Sequence, residues 1–163
     1  RMGEHMTYDA RQIANWFVAR AQRDGRTVSI MTLLKLTYIA HGWHLEMRDG
    51  APLVLNRVEA WQYGPVIPDV YNSFRQQGIH VSETARDVPE VQLTPEDERL
   101  LEQVYNIYGK LSAFQLSELT HTPGGPWDIA TKTGGYYAPI PDELIHQHYI
   151  MKRAEANKQA DNV

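Results

Sequence analysis

Histidine is the residue type in this sequence that most readily supports metal or acid–base chemistry, and the chain of 163 residues contains 7 histidines. His41 and His44 lie three positions apart, and His146 and His148 lie two apart. A helical zinc site needs a third ligand at a defined spacing, as in His-Glu-x-x-His, and no such motif occurs here. Core or surface histidines explain these pairs better than metal ligands do, so we expect neither a bound metal nor a cofactor.

A second group of residues has the types of a hydrolytic triad, namely Ser112, Ser117, His121 and Asp128. Nucleophilic serines lie on strained turns such as the Gly-x-Ser-x-Gly elbow, which the sequence lacks. Ser112 is better explained as a helix cap, because Gln115 follows at the spacing of a capping box. The sequence therefore predicts a protein that is not an enzyme, and a small hydrolase is the least favoured alternative.

Composition excludes several other classes of protein. The chain has 42% hydrophobic and 22% charged residues, which is typical of a soluble domain of average composition. With 0 cysteines it has no disulfide framework, and we expect a cytoplasmic location. A net charge of −4 argues against nucleic acid as a partner, and no apolar run is long enough for a membrane span. Residues 1–6 read as a tag remnant or a disordered start.

Hydrophobic periodicity and capping signals predict a mainly α fold, as a compact single domain of several helices with a small β-hairpin or short antiparallel sheet. The helix that Ser29 caps is apolar on two faces and should be central. The β element is expected within 53–61, and Asp69 is expected to cap a short helix ending at Gly78. Helices are predicted at 9–24, 94–108 and 142–156 and after Ser112, with a mobile surface connection at 79–93 and a loop at 123–141.

Aromatic residues near glycine and proline turns are the strongest candidates for a binding surface. They are Trp43, Trp61, Tyr63, Tyr71 and Trp127. Aromatic rings anchor protein interfaces by filling pockets at a low cost in rotamer entropy. The alternative is that these rings are buried against the central helix, and for Trp43 and Trp61 that alternative is at least as strong.

Lys35 lies on the apolar stripe of the central helix, beside Met31 and Tyr38. An unpaired buried ammonium would be costly. We therefore expect this side chain to reach solvent, to meet a carboxylate such as Glu59, or to face a partner.

Two stretches of sequence resemble a known family. One runs from Lys35 to His44 as KLTYIAHGWH, and the other runs from Glu59 to Tyr71 as EAWQYGPVIPDVY. Together with Leu116-Ser117-x-Leu119-Thr120-His121 and Pro126-Trp127, they resemble the Panacea domain of SocA-like antitoxins, a group that includes phage-associated proteins of the GepA type. The resemblance covers about residues 8–150, so the domain is expected at 7–152, followed by a polar helix end or tail at 153–163.

The resemblance implies a mostly helical domain that acts as the antitoxin of a type II toxin–antitoxin pair, binds a cognate toxin protein directly and has no catalytic activity. The residues expected to bind the partner are Lys35, Tyr38, His41, Glu59, Trp61, Tyr63, Pro65 and Tyr71. The same motif could instead be a structural signature, in which case specificity would lie in residues 79–93, 123–141 or the last helix. Alternative functions are an adaptor that delivers a bound protein to a protease, or a phage or mobile-element protein that binds another host protein.

Overall fold

The structure, a computed structural model, describes residues 6–161, so the predicted tag remnant lies outside the described residues except for Met6. This part of the chain forms seven α-helices and two small antiparallel sheets, which confirms the mainly α prediction. The helices are α1 (Ala10–Arg23), α2 (Ile30–Met47), α3 (Pro68–Phe74), α4 (Pro95–Tyr108), α5 (Ala113–Thr120), α6 (Pro126–Gly134) and α7 (Asp142–Asp161). The strands are β1 (Val28–Ser29), β2 (Glu59–Trp61), β3 (Gly64–Val66), β4 (His80–Val81) and β5 (Ala138–Pro139).

Helix α2 forms the centre of the domain, as its two apolar faces predict. The Ser29 side chain caps it by accepting a hydrogen bond from the Thr32 backbone N–H. Helices α1, α4, α5 and α7 all pack against α2, and almost the whole of its length from Thr32 to Leu45 is buried. Gly42 allows the closest approach to α7, since a Cβ atom there would lie 2.2 Å from the ring of Tyr149.

The predicted β element is present, although it begins later in the chain than 53–61 suggests. Strands β2 and β3 form an antiparallel hairpin in which Trp61 pairs with Gly64, so Gln62 and Tyr63 form a two-residue turn. Strand β5 pairs with the other edge of β2 and gives the order β3-β2-β5. The sheet therefore brings a loop from the last third of the chain next to the hairpin.

The structure corrects three local expectations. The connection at 79–93 is anchored, because β4 pairs with β1 and Val81, Val88 and Leu93 are buried. The cap of α3 is Ile67, with Pro68 at the first helical turn, so Asp69 lies inside the helix. The predicted loop at 123–141 contains both α6 and β5.

Other boundaries agree closely with the capping signals. Thr94 caps α4 by accepting from the Asp97 backbone N–H, and Ser112 and Gln115 form the predicted capping box of α5. Helix α7 continues to Asp161, and every residue of it from Arg153 onward is exposed. None of the helices within residues 6–161 combines the length and the apolar character that crossing a bilayer requires.

Candidate functional site

The eight sequence-predicted partner-binding residues fall into an inner and an outer group. Lys35, Tyr38, His41 and Pro65 are buried. Glu59, Trp61 and Tyr71 are partly buried, and Tyr63 is 60% exposed. The inner four therefore have no appreciable side-chain surface to present to a partner in this conformation.

The outer group forms part of a continuous aromatic patch. The Trp61 ring makes edge contacts with Tyr71 of α3, at 5.1 Å between ring centroids, and with Tyr137 of the loop before β5, at 5.7 Å. Tyr63 lies next to Trp61 in the chain, in the turn of the β2–β3 hairpin. We call the rings of Trp61, Tyr63, Tyr71 and Tyr137 the aromatic surface.

Hydrogen bonds fix the position of Trp61 within the aromatic surface. Its indole Nε1–H donates to Glu59 Oε1 at 2.9 Å, and Glu59 Oε2 forms a salt bridge with Arg57 at 2.6 Å. The Trp61 backbone carbonyl accepts from Trp127 Nε1–H at 2.7 Å, which ties β2 to α6. Glu59 thus orients the Trp61 ring, while the Arg57 side chain is 70% exposed.

The hairpin turn is held from the side of α5. The Ser117 hydroxyl donates to the Tyr63 backbone carbonyl at 2.8 Å. The next residue, Gly64, has a φ of +122°, and a Cβ atom there would lie 2.8 Å from Lys35 Nζ and 2.9 Å from Thr120 Oγ1. Glycine is required at this position both for its backbone conformation and for the close approach of these two side chains. The turn therefore holds Tyr63 at the surface on a fixed backbone.

Lys35 of α2 contacts the same hairpin on its buried side. Its Nζ donates to the Pro65 backbone carbonyl at 3.0 Å, and among the described residues no carboxylate pairs with it. Burial lowers the pKa of Lys35 to about 7, because a charged ammonium is poorly solvated there. The expectation that Lys35 would reach solvent or pair with Glu59 was wrong. Pro65 has no N–H and its carbonyl is occupied, so this position of β3 offers no hydrogen bond to an additional strand.

His41 and Tyr38 connect α2 to α7. The backbone N–H of Val54 donates to His41 Nδ1 at 3.5 Å, so Nε2 carries the proton and donates to Asp142 Oδ1 at 2.9 Å. Tyr38 packs edge-on against Tyr149 at 6.4 Å between centroids, and burial raises the pKa of the Tyr38 hydroxyl. These residues hold α7 on the central helix.

Comparison with known proteins identifies the family. The family model described as "Antitoxin SocA-like, Panacea domain" matches residues 33–128, which include both the inner and the outer group. The chain belongs to the SocA-like antitoxin family. A curated relative, "Antitoxin SocA" of Caulobacter vibrioides (strain NA1000 / CB15N), is 35% identical over 137 residues, covering 78% of this chain and 72% of the relative. No solved structure matches.

The residues considered for a hydrolytic triad in this SocA-like chain are not arranged as one. The Ser117 carbonyl lies 2.6 Å from His121 Nδ1, and since a carbonyl can only accept, this nitrogen carries the proton. The Ser117 hydroxyl, 3.3 Å from the same nitrogen, therefore finds no base there and donates instead to the Tyr63 carbonyl. The Asp128 carboxylate accepts from the Gly124 N–H at 2.8 Å and pairs with Lys132, not with His121. Among residues 6–161, no group of three or more metal-ligating side chains comes together.

Sequence reasoning did not name Tyr137 as a site residue, although residues 123–141 were one alternative location for specificity and Tyr137 completes the aromatic surface. This residue is 66% exposed and falls in a segment that was predicted to be a loop. Its neighbour Gly135 gave a local signal only for the end of a helix, because a glycine commonly ends one. Trp43, another aromatic candidate, is partly buried and packs against Tyr149 at 4.9 Å, away from this surface.

Proposed function

We propose that this chain is the antitoxin of a type II toxin–antitoxin pair and that it neutralises a cognate protein toxin in the cytoplasm by binding it directly. The observation that carries the proposal is the position of the family's second motif stretch, Glu59 to Tyr71, whose aromatic side chains lie at the surface of the hairpin and α3. The name of the relative, an antitoxin, supports a toxin as the partner.

The aromatic surface has the physical properties of an interface centre. Tyr63 is 60% exposed and Tyr137 is 66% exposed, and each lies next to a paired strand, Tyr63 in the β2–β3 turn and Tyr137 immediately before β5. Large rings on a fixed backbone lose little conformational entropy on binding and bury much apolar area. The aromatic surface is thus preorganised for binding a protein partner.

In this proposal the inner residues act as positioning residues. Lys35 holds the β3 edge through Pro65, and His41 holds the start of α7 through Asp142. Neutralisation then occurs by steric occlusion, because the docked antitoxin covers the active region of the toxin and excludes its substrate. No covalent bond is made or broken. Trp61, Tyr63 and Tyr71 are the contact residues, and Glu59 positions Trp61.

The test uses the product of the reading frame adjacent to the gene of this chain. That product, expressed alone, should arrest growth, and co-expression of this chain should restore growth. Trp61→Ala should reduce the rescue, because it removes the central ring of the aromatic surface, whereas Ile107→Gln on the exposed side of α4 should not. A harmless neighbour product that does not bind this chain would contradict the proposed function.

One observation favours a second candidate, an adaptor that delivers the bound toxin to a protease. An adaptor needs two separate surfaces, and the last turns of α7 are a second exposed region, since all its residues from Arg153 to Asp161 are exposed. A chain truncated after residue 152 separates the two candidates. Occlusion predicts unchanged toxin lifetime and full rescue, whereas an adaptor predicts a longer toxin lifetime and lost rescue.

A further inference from the structure

Tyr137 has an unusual backbone conformation. Its φ is +71°, and within residues 6–161 Asp49 is the other non-glycine residue with a positive φ. The left-handed region is unfavourable for a bulky side chain, because Cβ crowds the following peptide. Asparagine and glycine tolerate the same conformation with less strain. Strained residues of this kind persist where the surrounding structure enforces them, and they cluster at functional sites.

The surrounding sheet enforces the conformation. The Tyr137 backbone N–H donates to the Ala60 carbonyl at 2.7 Å, and the next residue, Ala138, pairs with Ala60 in the β5–β2 ladder. The Ala138 N–H also donates to the Gly135 carbonyl at 3.3 Å and closes a turn. The backbone of Tyr137 therefore has a structural role that asparagine or glycine could also fulfil.

The Tyr137 ring has no comparable structural role. The residue is 66% exposed, and its ring touches Trp61 at the edge of the aromatic surface. An exposed ring contributes little apolar burial to folding. The fold thus carries backbone strain at the position that displays this ring to solvent.

Two exposed arginines belong to the segments that carry the aromatic surface, one before β2 and one at the end of α3. Arg57 is 70% exposed, while its salt-bridge partner Glu59 is only 13% exposed. Arg75 follows Tyr71 by one helical turn and is exposed, and no carboxylate of the described residues pairs with it. Cations at the rim of an interface favour a partner that presents carboxylates there.

We propose that Tyr137 is a specificity-determining residue for toxin binding, whose ring enters an apolar recess of the toxin flanked by carboxylates that face Arg57 and Arg75. This inference rests on the proposed function. It adds which residue determines the binding specificity and which chemical groups the toxin presents to it. Trp61 and Tyr71 of this chain contact the toxin beside the inserted ring.

The test measures binding and stability together. The purified product of the adjacent reading frame is titrated by calorimetry against the full chain and against Tyr137→Asn, Tyr137→Phe and Ile107→Gln. Tyr137→Asn should weaken binding at least about tenfold, as expected for an interface anchor, while its Tm is no lower than that of the unmodified chain. Tyr137→Phe keeps the ring and Ile107→Gln removes exposed apolar area elsewhere, so both should bind within about twofold.

Each other outcome has a definite meaning. If the unmodified chain binds and Tyr137→Asn binds equally well, the inference is overturned while the proposed function stands. A fall in Tm of more than about 4 °C in Tyr137→Asn would make the ring structural and would also overturn it. If the unmodified chain does not bind, the proposed function fails and the inference fails with it. Binding that is unaffected at about 1 M salt, where screening acts within ~3 Å, would overturn the carboxylate part.

Discussion

The two stretches that identify the family are used in opposite ways. The stretch on α2 points inward, where Lys35, His41 and Gly42 each hold another element in place. The stretch on the β2–β3 hairpin and α3 buries its small and aliphatic residues, but its aromatic residues Trp61, Tyr63 and Tyr71 supply most of the aromatic surface. Residues that together identify a family can therefore differ in role, with one group determining the position of the other.

This division predicts two kinds of mutational effect. Changes in the inner stretch should lower the free energy of unfolding. They should weaken toxin binding only to the extent that they increase the unfolded fraction of the protein. Changes in the aromatic surface should weaken binding with little effect on unfolding. An inner variant that weakens binding at unchanged stability, or a surface variant that lowers stability at unchanged binding, would contradict this division of roles.

The largest effect is expected for Gly42→Ala. The new Cβ would lie 2.2 Å from the Tyr149 ring, so α2 and α7 must separate. Overpacking of this kind costs roughly 1–3 kcal/mol or more, while the better helix propensity of alanine returns only about 1 kcal/mol. Because the 2.2 Å approach is far inside van der Waals contact, we expect the upper end of that range. Chemical denaturation should therefore show a net loss of about 2 kcal/mol in the free energy of unfolding.

Tyr149→Leu provides the control for Gly42→Ala. In the double variant the smaller side chain leaves room for the new methyl group, so the two effects should be less than additive. If Gly42→Ala is more stable than the unmodified chain, helix propensity outweighs the contact and α7 is not held as closely as described.

A pH-dependent effect of similar size is expected for Lys35→Met. The folded-state pKa of about 7 lies below the unperturbed value of 10.5, so the unfolded chain binds the extra proton between these values. Stability should therefore rise as pH increases through this window and should be constant below it, at about 1.4 kcal/mol per pH unit. Between pH 7 and 9 the unmodified chain should gain about 2 kcal/mol relative to Lys35→Met.

Lys110→Met is the matched variant at an exposed lysine. It should show no such gain, because the side chain is solvated in both states. A stability difference between the unmodified chain and Lys35→Met that does not change with pH would mean that the ammonium is solvated or paired in the folded protein.

The outer region is tested by Tyr63→Ala. Tyr63 is 60% exposed, and its backbone carbonyl, not its ring, accepts the Ser117 hydrogen bond. We expect a loss of about 1.4 kcal/mol in toxin binding, or tenfold in Kd, with unfolding changed by less than about 0.5 kcal/mol. Calorimetric titration and thermal unfolding measure the two quantities. Unchanged binding would remove Tyr63 from the interface.

The smallest effect is expected for Asp142→Ala. The carboxylate accepts a hydrogen bond from His41 Nε2–H at 2.9 Å. It also lies in the first turn of α7, where its negative charge interacts favourably with the helix dipole. Its side chain is 47% exposed, so water can replace part of the lost hydrogen bond. The free energy of unfolding should fall by about 1 kcal/mol with toxin binding unchanged. A weaker complex at unchanged stability would place Asp142 in the interface.

Local signals in the sequence predicted much of the fold. Ser29, Thr94 and Ser112 each marked a helix start correctly, because capping depends on residues only two or three positions away. Helix α6 was missed because glycines lie at both of its ends within a turn-rich stretch. The pairing of β4 with β1 was missed because two-residue strands leave no periodic pattern in a polar segment.

The candidate site was less predictable because it depends on contacts between distant parts of the chain. The hydrogen-bond partner of Lys35 is the Pro65 backbone carbonyl, thirty positions away. Every residue has a backbone carbonyl, so the residue type at position 65 does not indicate this contact. The contribution of Tyr137 depends on pairing of β5 with β2 across more than seventy positions, and its positive φ follows from that pairing. The resemblance indicated which stretches matter but not which way each side chain points.

Hydroxyl-radical footprinting of this chain, alone and with the purified product of the adjacent reading frame, tests the central claim most directly. It reports the solvent exposure of individual side chains. We expect the oxidation of Tyr63, Trp61 and Tyr137 to fall in the complex, while oxidation of the exposed Met47 at the end of α2 is unchanged. Protection confined to Met47 and α4, with the three rings oxidised as in the free chain, would contradict it.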